Sequence, residues 1–192
     1  MSEQIKNILL VGVGGQGILL ASEILSEAAM LAGFDVKKSE IHGMSQRGGS
    51  VVSNVRYGSE VFSPIVPEGE GDILFGFELL ETMRSLPFLK PGGTVVANDL
   101  QISPPSVLMG QETYPEELAE RIKVQFADFM LVDGPKIAAA AGNAKAANTV
   151  LLGVVSKRLN ISETYWLKAL EKMVPVKALE INKRAFLLGR EL

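Results

Sequence analysis

Two short stretches concentrate the residue types that do chemistry. The first is Gly12-Val-Gly-Gly-Gln-Gly17, which fits the G-x-G-x-x-G turn between a strand and a helix. In such a turn Gly12 permits the tight bend, Gly14 lets a ligand or another backbone approach, and Gly17 lets the helix pack close on the strand. Gly15 and Gln16 complete the turn. The helix that follows opens with free N–H groups and the positive end of its dipole, a setting that suits an anion. Gly12, Gly14, Gly15, Gln16 and Gly17 are therefore candidate binding residues; the alternative is a tight crossover that binds nothing.

The second stretch is His42-Gly-Met-Ser-Gln-Arg-Gly-Gly49, a polar loop between glycines. His42 is the only histidine of the chain and titrates near neutral pH, so it is a candidate proton carrier; the alternative is a hydrogen-bonded structural histidine. Arg47 offers a planar fork for a carboxylate or phosphate, and the alternative is a surface ion pair of little energetic weight. Ser45 and Gln46 add a hydroxyl and an amide to the same loop and join the binding candidates. Glu78 and Glu81 lie one helical turn apart and read as a solvated helix start. Asn148 opens a helix of small and apolar residues, either as a cap or as a polar contact at a subunit boundary. A dinucleotide site wants an acid about 20 residues beyond the glycines. Asp35 and Glu40 lie in that neighbourhood, although Lys37 and Lys38 precede Glu40.

The elements that must position these residues follow from periodicity. Residues 8–13 form an apolar run typical of a buried parallel strand. Ile18, Ala21, Leu25, Ala28 and Ala32 recur at helical steps, and Gly33 is the natural stop of that helix. Residues 34–39 read as a second strand and 40–49 as a loop. Residues 51–57 and 60–63 read as a β-hairpin turning at Gly58-Ser59, which interrupts the βαβ rhythm and makes the sheet mixed. Strands are expected at 72–77, 94–98 and 129–132, with a helix at 78–86 and a turn at 91–93 before the strand at 94. Helices are expected at 115–123, 136–141, 146–159, 162–174 and 178–188, the last stopped by Gly189 and the one before it opened by an imperfect capping box at Ser162. The fold class is α/β: a three-layer α/β/α, Rossmann-like domain with a mixed sheet and a β-hairpin insertion, spanning residues 1–192 as a single domain.

Composition narrows the chemistry. A net charge of −3 without basic clusters argues against nucleic acid as a partner. Cysteine is absent, which excludes disulfides, thiolate nucleophiles and cysteine-ligated iron–sulfur clusters in this chain. One histidine excludes a multi-histidine metal site, so no metal-binding residue is assigned. No apolar run has the length of a membrane span, and the glycines and Gln16 speak against a signal-peptide core at 8–21. The expected setting is cytoplasmic, with no membrane partner.

With both stretches in hand, the sequence resembles the gamma-type domain of 2-oxoacid:ferredoxin oxidoreductases, and within that family the small subunits of its indolepyruvate- and arylpyruvate-using branch. The residues that carry the resemblance are Gly12 to Gly17, the string from His42 to Gly49, Ser63-Pro64, Leu89-Lys-Pro-Gly-Gly93 and the stretch 148–153. They are spread over nearly the whole chain. The resemblance implies a small subunit of a heteromeric enzyme that decarboxylates a 2-oxoacid oxidatively to an acyl-CoA and passes electrons to ferredoxin. It implies a large alpha subunit holding thiamine diphosphate and the iron–sulfur clusters, with no cofactor held by this chain alone and coenzyme A as co-substrate. Ferredoxin is then met through the complex. Two other readings of the residues stay open: an NAD(P)-binding Rossmann oxidoreductase using the glycine turn, and a non-catalytic scaffold subunit.

Overall fold

The computed structural model describes residues 5–42 and 49–192. Strand β1 (Lys6–Val13) enters the glycine turn, and helix α1 (Ile18–Leu31) leaves it. Next come β2 (Asp35–His42), β3 (Ser50–Gly58), β4 (Gly71–Gly76), α2 (Leu79–Ser85), β5 (Leu89–Asn98), α3 (Pro105–Leu108), α4 (Leu118–Gln125) and β6 (Phe129–Val132). The chain closes with α5 (Gly134–Ala141), α6 (Ala147–Ser156), α7 (Glu163–Met173) and α8 (Val176–Glu191).

The strands form one six-stranded sheet in the order β2-β3-β1-β4-β5-β6. Strands β1, β4, β5 and β6 are parallel, while β3 runs antiparallel to both of its neighbours, β1 and β2. The mixed, three-layer α/β architecture is as expected from the sequence. Ile8 and Leu10 of β1 point to one core with Ile24 and Leu25 of α1, Val150 of α6, Trp166 of α7 and Phe186 of α8. Leu9 and Val11 point to the other, with Leu79 and Leu80 of α2 and Leu118 and Ile122 of α4. Burial on both faces is why β1 reads as a continuous apolar run rather than an alternation. Each fully buried leucine or isoleucine contributes roughly 1.5–3 kcal/mol.

The expected hairpin is the main correction. Residues 60–63 form no strand. Strand β3 has β1 on one edge and β2 on the other, so neither edge is open to a return strand. Side chains take over the backbone groups of the following segment instead. The Val61 N–H donates to Asp35 at 2.8 Å, and the Arg56 guanidinium donates to the carbonyls of Ser63 and Ile65 at 3.0 and 3.1 Å. The antiparallel pair formed by strands consecutive in sequence is β2 with β3. Strand β2 accordingly runs on to His42, so Glu40 to His42 belong to the strand and not to the loop.

Smaller differences share one origin, which is tertiary packing that local signals do not carry. Residues 91–93 are absorbed into β5, where the pairing with β4 jumps from Leu89 to Thr94. Ser162 precedes α7 but makes no side-chain cap bond. Gly189 does not stop α8: the helix continues to Glu191, and Gly189 is a packing glycine. A Cβ there would lie 2.0 Å from the carbonyl oxygen of Val150, and a Cβ on Gly153 would lie 2.1 Å from that of Phe186. Helices α6 and α8 thus cross backbone to backbone.

Candidate functional site

The parallel strands β1, β4 and β5 end on one edge of the sheet, where ligands of α/β proteins usually bind. Val13, Phe77 and Asn98 stand at or just past those ends, and the glycine turn folds over them. Gln16 ties the edge together. Its Oε1 accepts from the N–H of Val13 at 2.6 Å, and its Nε2 donates to the carbonyl of Phe77 at 2.8 Å. The buried Asn98 donates to the same carbonyl at 3.2 Å and accepts from the N–H of Gly134, at the start of α5, at 3.0 Å. One carbonyl thereby joins the ends of β1, β4 and β5 to α5.

The glycines act differently from their expected roles. Gly12 lies inside β1, and the space beside it is filled by Gln16 Oε1 and the Cβ of Phe77, at 2.6 and 2.8 Å from where a side chain would begin. It serves close packing, and the bend itself lies at Gly15 and Gly17, with φ of +100° and +79°. Gly17 makes room for α6 and not for the strand: a Cβ there would meet Asn148 Nδ2 at 2.7 Å. The Gly14 N–H, expected to face a ligand or a backbone, meets a backbone, the carbonyl of Gly49 at 2.9 Å. Asn148 is buried in the first turn of α6, whose N-cap is Ala146, and donates weakly to the Gly17 carbonyl at 3.4 Å. It is thus an internal contact rather than a cap.

A cleft of about 460 Å³ opens at this edge. Gly15, Gln16, Phe77, Asn98 and Leu100 line one side, and Pro135, Lys145 and Asn148 are among those on the other. Its polar lining consists of three amides and one ammonium, with no carboxylate among the described residues. The amides spend their carbonyl oxygens on the protein, while each NH2 group has a hydrogen beyond the bond it makes. The exposed Lys145 has no hydrogen-bond or ion-pair partner for its ammonium among the described residues. A lining of donors and one cation suits a ligand rich in acceptors and negative charge.

The second sequence candidate is placed only in part. The backbone of His42 ends β2, opposite Val51, which in turn lies opposite Gly12. Ser45, Gln46 and Arg47 lie outside the described residues. The far root of that stretch is held: beside the Gly49 contact, Ser50 Oγ donates to Glu81 Oε2 at 2.6 Å. Glu81 and Glu78 are not a solvated helix start. Both are buried, at 7% and 1% exposure. Arg84 and Ser50 neutralise and satisfy Glu81. Glu78 caps α2 by accepting from the N–H of Glu81 at 2.8 Å, and also accepts from Tyr114 and from the N–H of Ile102.

Sequence reasoning missed Asn98, Lys145 and Tyr114. Asn98 carried a usable signal, as a polar residue ending an apolar strand on the ligand-binding edge. Lys145 and Tyr114 carried none, because each is brought to the edge by an irregular connection.

The geometry bears directly on two kinds of ligand. A dinucleotide site needs an acid at the tip of the parallel strand next to β1. Here β3 separates β2 from β1, so β2 lies roughly 10 Å away, two strand spacings. Asp35 and Glu40 are hydrogen-bonded to Lys37 and Lys38, at 2.5 and 2.7 Å. For the cofactors implied by the resemblance, the donor set does not fit an iron–sulfur cluster, since the chain has no cysteine. No group of three or more acidic or histidine side chains is gathered for a metal among the described residues. No helix among them is long and apolar enough to cross a membrane.

Known proteins with the same pattern cover the chain almost end to end. The model of the pyruvate ferredoxin/flavodoxin oxidoreductase family matches residues 7–192. The chain is similar to the indolepyruvate oxidoreductase subunit IorB of Thermococcus kodakarensis, with 43% identity over 95% of this chain and 93% of that one. To IorB of Pyrococcus horikoshii the identity is 42%, with the same coverage. Among solved structures, the gamma subunit of a keto/oxoacid ferredoxin oxidoreductase from Geobacter sulfurreducens superposes with a TM-score of 0.72 at 25% identity, covering 97% of this chain and 96% of that one.

Proposed function

From the premise that the chain belongs to the pyruvate ferredoxin/flavodoxin oxidoreductase family, we propose that it works as a single gamma-type domain, the small subunit of a cytoplasmic indolepyruvate:ferredoxin oxidoreductase. The reaction is oxidative decarboxylation of an arylpyruvate to its acyl-CoA, with electrons passed to ferredoxin. The observation that carries this reading is the pairing of a full-length family match with a chain that has no cysteine. The redox centres of such an enzyme require thiolate ligands. They must then sit in a large partner subunit, together with thiamine diphosphate.

The cleft at the sheet edge is this chain's share of the active site. Its amide donors and Lys145 suit the phosphates and amides of coenzyme A. Gly15 and Gln16 form its floor beside the start of α1. Of the loop candidates, Arg47 supplies a guanidinium for an anionic group of substrate or coenzyme, His42 is a proton carrier, and Ser45 and Gln46 add polar contacts.

Co-expression with the large subunit tests the partnership. Affinity purification through a tag on this chain is expected to bring down a stoichiometric complex containing iron, acid-labile sulfide and thiamine diphosphate. After dissociation all three should remain with the large subunit. Iron or thiamine retained by the isolated small chain would contradict the assignment.

A further inference from the structure

A single carboxylate oxygen closes the neck of a loop beside the cleft. Glu78 Oε1 accepts from the Tyr114 hydroxyl at 2.5 Å and from the N–H of Ile102 at 3.1 Å, so the chain leaves and returns to one atom across residues 102–114. Its other oxygen holds the first turn of α2. Glu78 is almost fully buried, yet no cation pairs with it among the described residues. A buried carboxyl group held by hydrogen bonds alone is an expensive staple, and what it staples is the segment that begins two residues beyond Leu100, a lining residue of the cleft. Phe77, immediately before it, lies on the cleft floor, and the N–H of Leu79, immediately after it, donates at 3.0 Å to the carbonyl of Leu100. Leu100 lines the cleft and is folded back by its own N–H onto the carbonyl of Asn98 at 2.8 Å. Burial, then the bond to Glu78, pushes the Tyr114 hydroxyl up, so it stays a donor throughout the neutral range.

Resting on the reading of the cleft as the coenzyme A site, we propose that Glu78 is a positioning residue for coenzyme A: with Tyr114 it fixes the Leu100 wall and so sets the affinity of the cleft without touching the ligand. Three N–H or O–H donors converge on its two oxygens. A glutamine there offers one acceptor and sets its NH2 against a donor. Phenylalanine at 114 removes only the hydroxyl and leaves the ring in place.

The test uses the assembled complex carrying Glu78→Gln, Tyr114→Phe or, as a reporter of the cleft itself, Lys145→Ala. Coenzyme A binding is measured by equilibrium dialysis without 2-oxoacid, beside KM for coenzyme A and for indolepyruvate. The expected result is that Tyr114→Phe weakens coenzyme A binding roughly fivefold or more, the equivalent of about one hydrogen bond, with KM for indolepyruvate unchanged and the complex still assembled. If Glu78→Gln fails to assemble, Tyr114→Phe alone decides. Coenzyme A binding unchanged in Tyr114→Phe but weakened in Lys145→Ala overturns the positioning role and leaves the cleft assignment standing. Binding unchanged in both overturns the cleft assignment and the positioning role with it. An equal loss toward both substrates, in step with a lower melting temperature, reduces Glu78 to a structural residue and also overturns the proposal.

Discussion

Gln16 reaches from the glycine turn to Phe77 and donates to its carbonyl at 2.8 Å, while its own oxygen takes the Val13 N–H at 2.6 Å. The glutamine is thus a brace across the ends of β1 and β4, and its contribution is to the shape of the edge. Gln16→Ala leaves the Val13 N–H without its acceptor and removes one of two donors to Phe77. A loss of about 1–3 kcal/mol is expected, read as a lower urea midpoint with an unchanged m-value.

The crossing of α6 and α8 tolerates no added methyl. Gly189→Ala places a Cβ 2.0 Å from the Val150 carbonyl oxygen, where backbone and not a side chain must move. Alanine gains up to about 1 kcal/mol in helix propensity over glycine. The overpacking should outweigh this and leave a net loss of at least about 2 kcal/mol. A scan of melting temperature across Gly189→Ala, Gly153→Ala and the open-space control Gly110→Asn checks it, with only the first two expected to fall steeply.

Asp35 gives a pH signature. Its carboxyl is held below the usual range, first by the hydrogen bond from Lys37 and then by the N–H of Val61. A depressed folded-state pKa contributes stability above the unfolded value and loses it as pH falls through the folded one. The advantage of wild type over Asp35→Asn is therefore expected to be full above about pH 4 and to fade in more acid solution. Urea midpoints of both proteins across that range measure it. An advantage independent of pH would contradict the ionic origin.

Much of this architecture is legible in the sequence, because β1, α1 and β6 are specified by local apolar periodicity and Gly33 by its place just after α1, where it has a φ of +92°. What is not legible depends on distant chain segments. The dipeptide Gly58-Ser59 carries a hairpin signal, but the partners of β3 are fixed by the sheet order, which inserts it between β1 and β2. Glu78 and Glu81 look solvated because carboxylates at a helix start usually are, and their burial follows from the 102–114 loop and from Ser50 folding onto them. Gly189 looks like a helix stop, and only the approach of α6 shows it to be a contact. At the site, the glycine turn is readable as a motif, while the cleft depends on Asn98 at the end of β5 meeting Lys145 and Asn148 around the start of α6, segments about 50 residues apart in sequence.

The proposed role of Arg47 lies in the chemistry rather than in the fold. Arg47→Ala is expected to leave the far-UV spectrum of the complex unchanged and to weaken apparent affinity for one anionic substrate by roughly 1.5–3 kcal/mol, the range for a charge-assisted hydrogen bond. Steady-state kinetics with coenzyme A and indolepyruvate varied separately identifies which. Constants equal to wild type for both would remove Arg47 from the active site.

The most direct measurement is an omission experiment on the reconstituted enzyme. The large thiamine- and cluster-bearing subunit is assayed for reduction of ferredoxin or a viologen dye by indolepyruvate, with and without this chain and with and without coenzyme A. The expected result is activity only when both subunits and coenzyme A are present, and none from this chain alone. Full, coenzyme A-dependent activity of the large subunit without this chain would contradict its role in the active site, as would 2-oxoacid oxidation by this chain on its own.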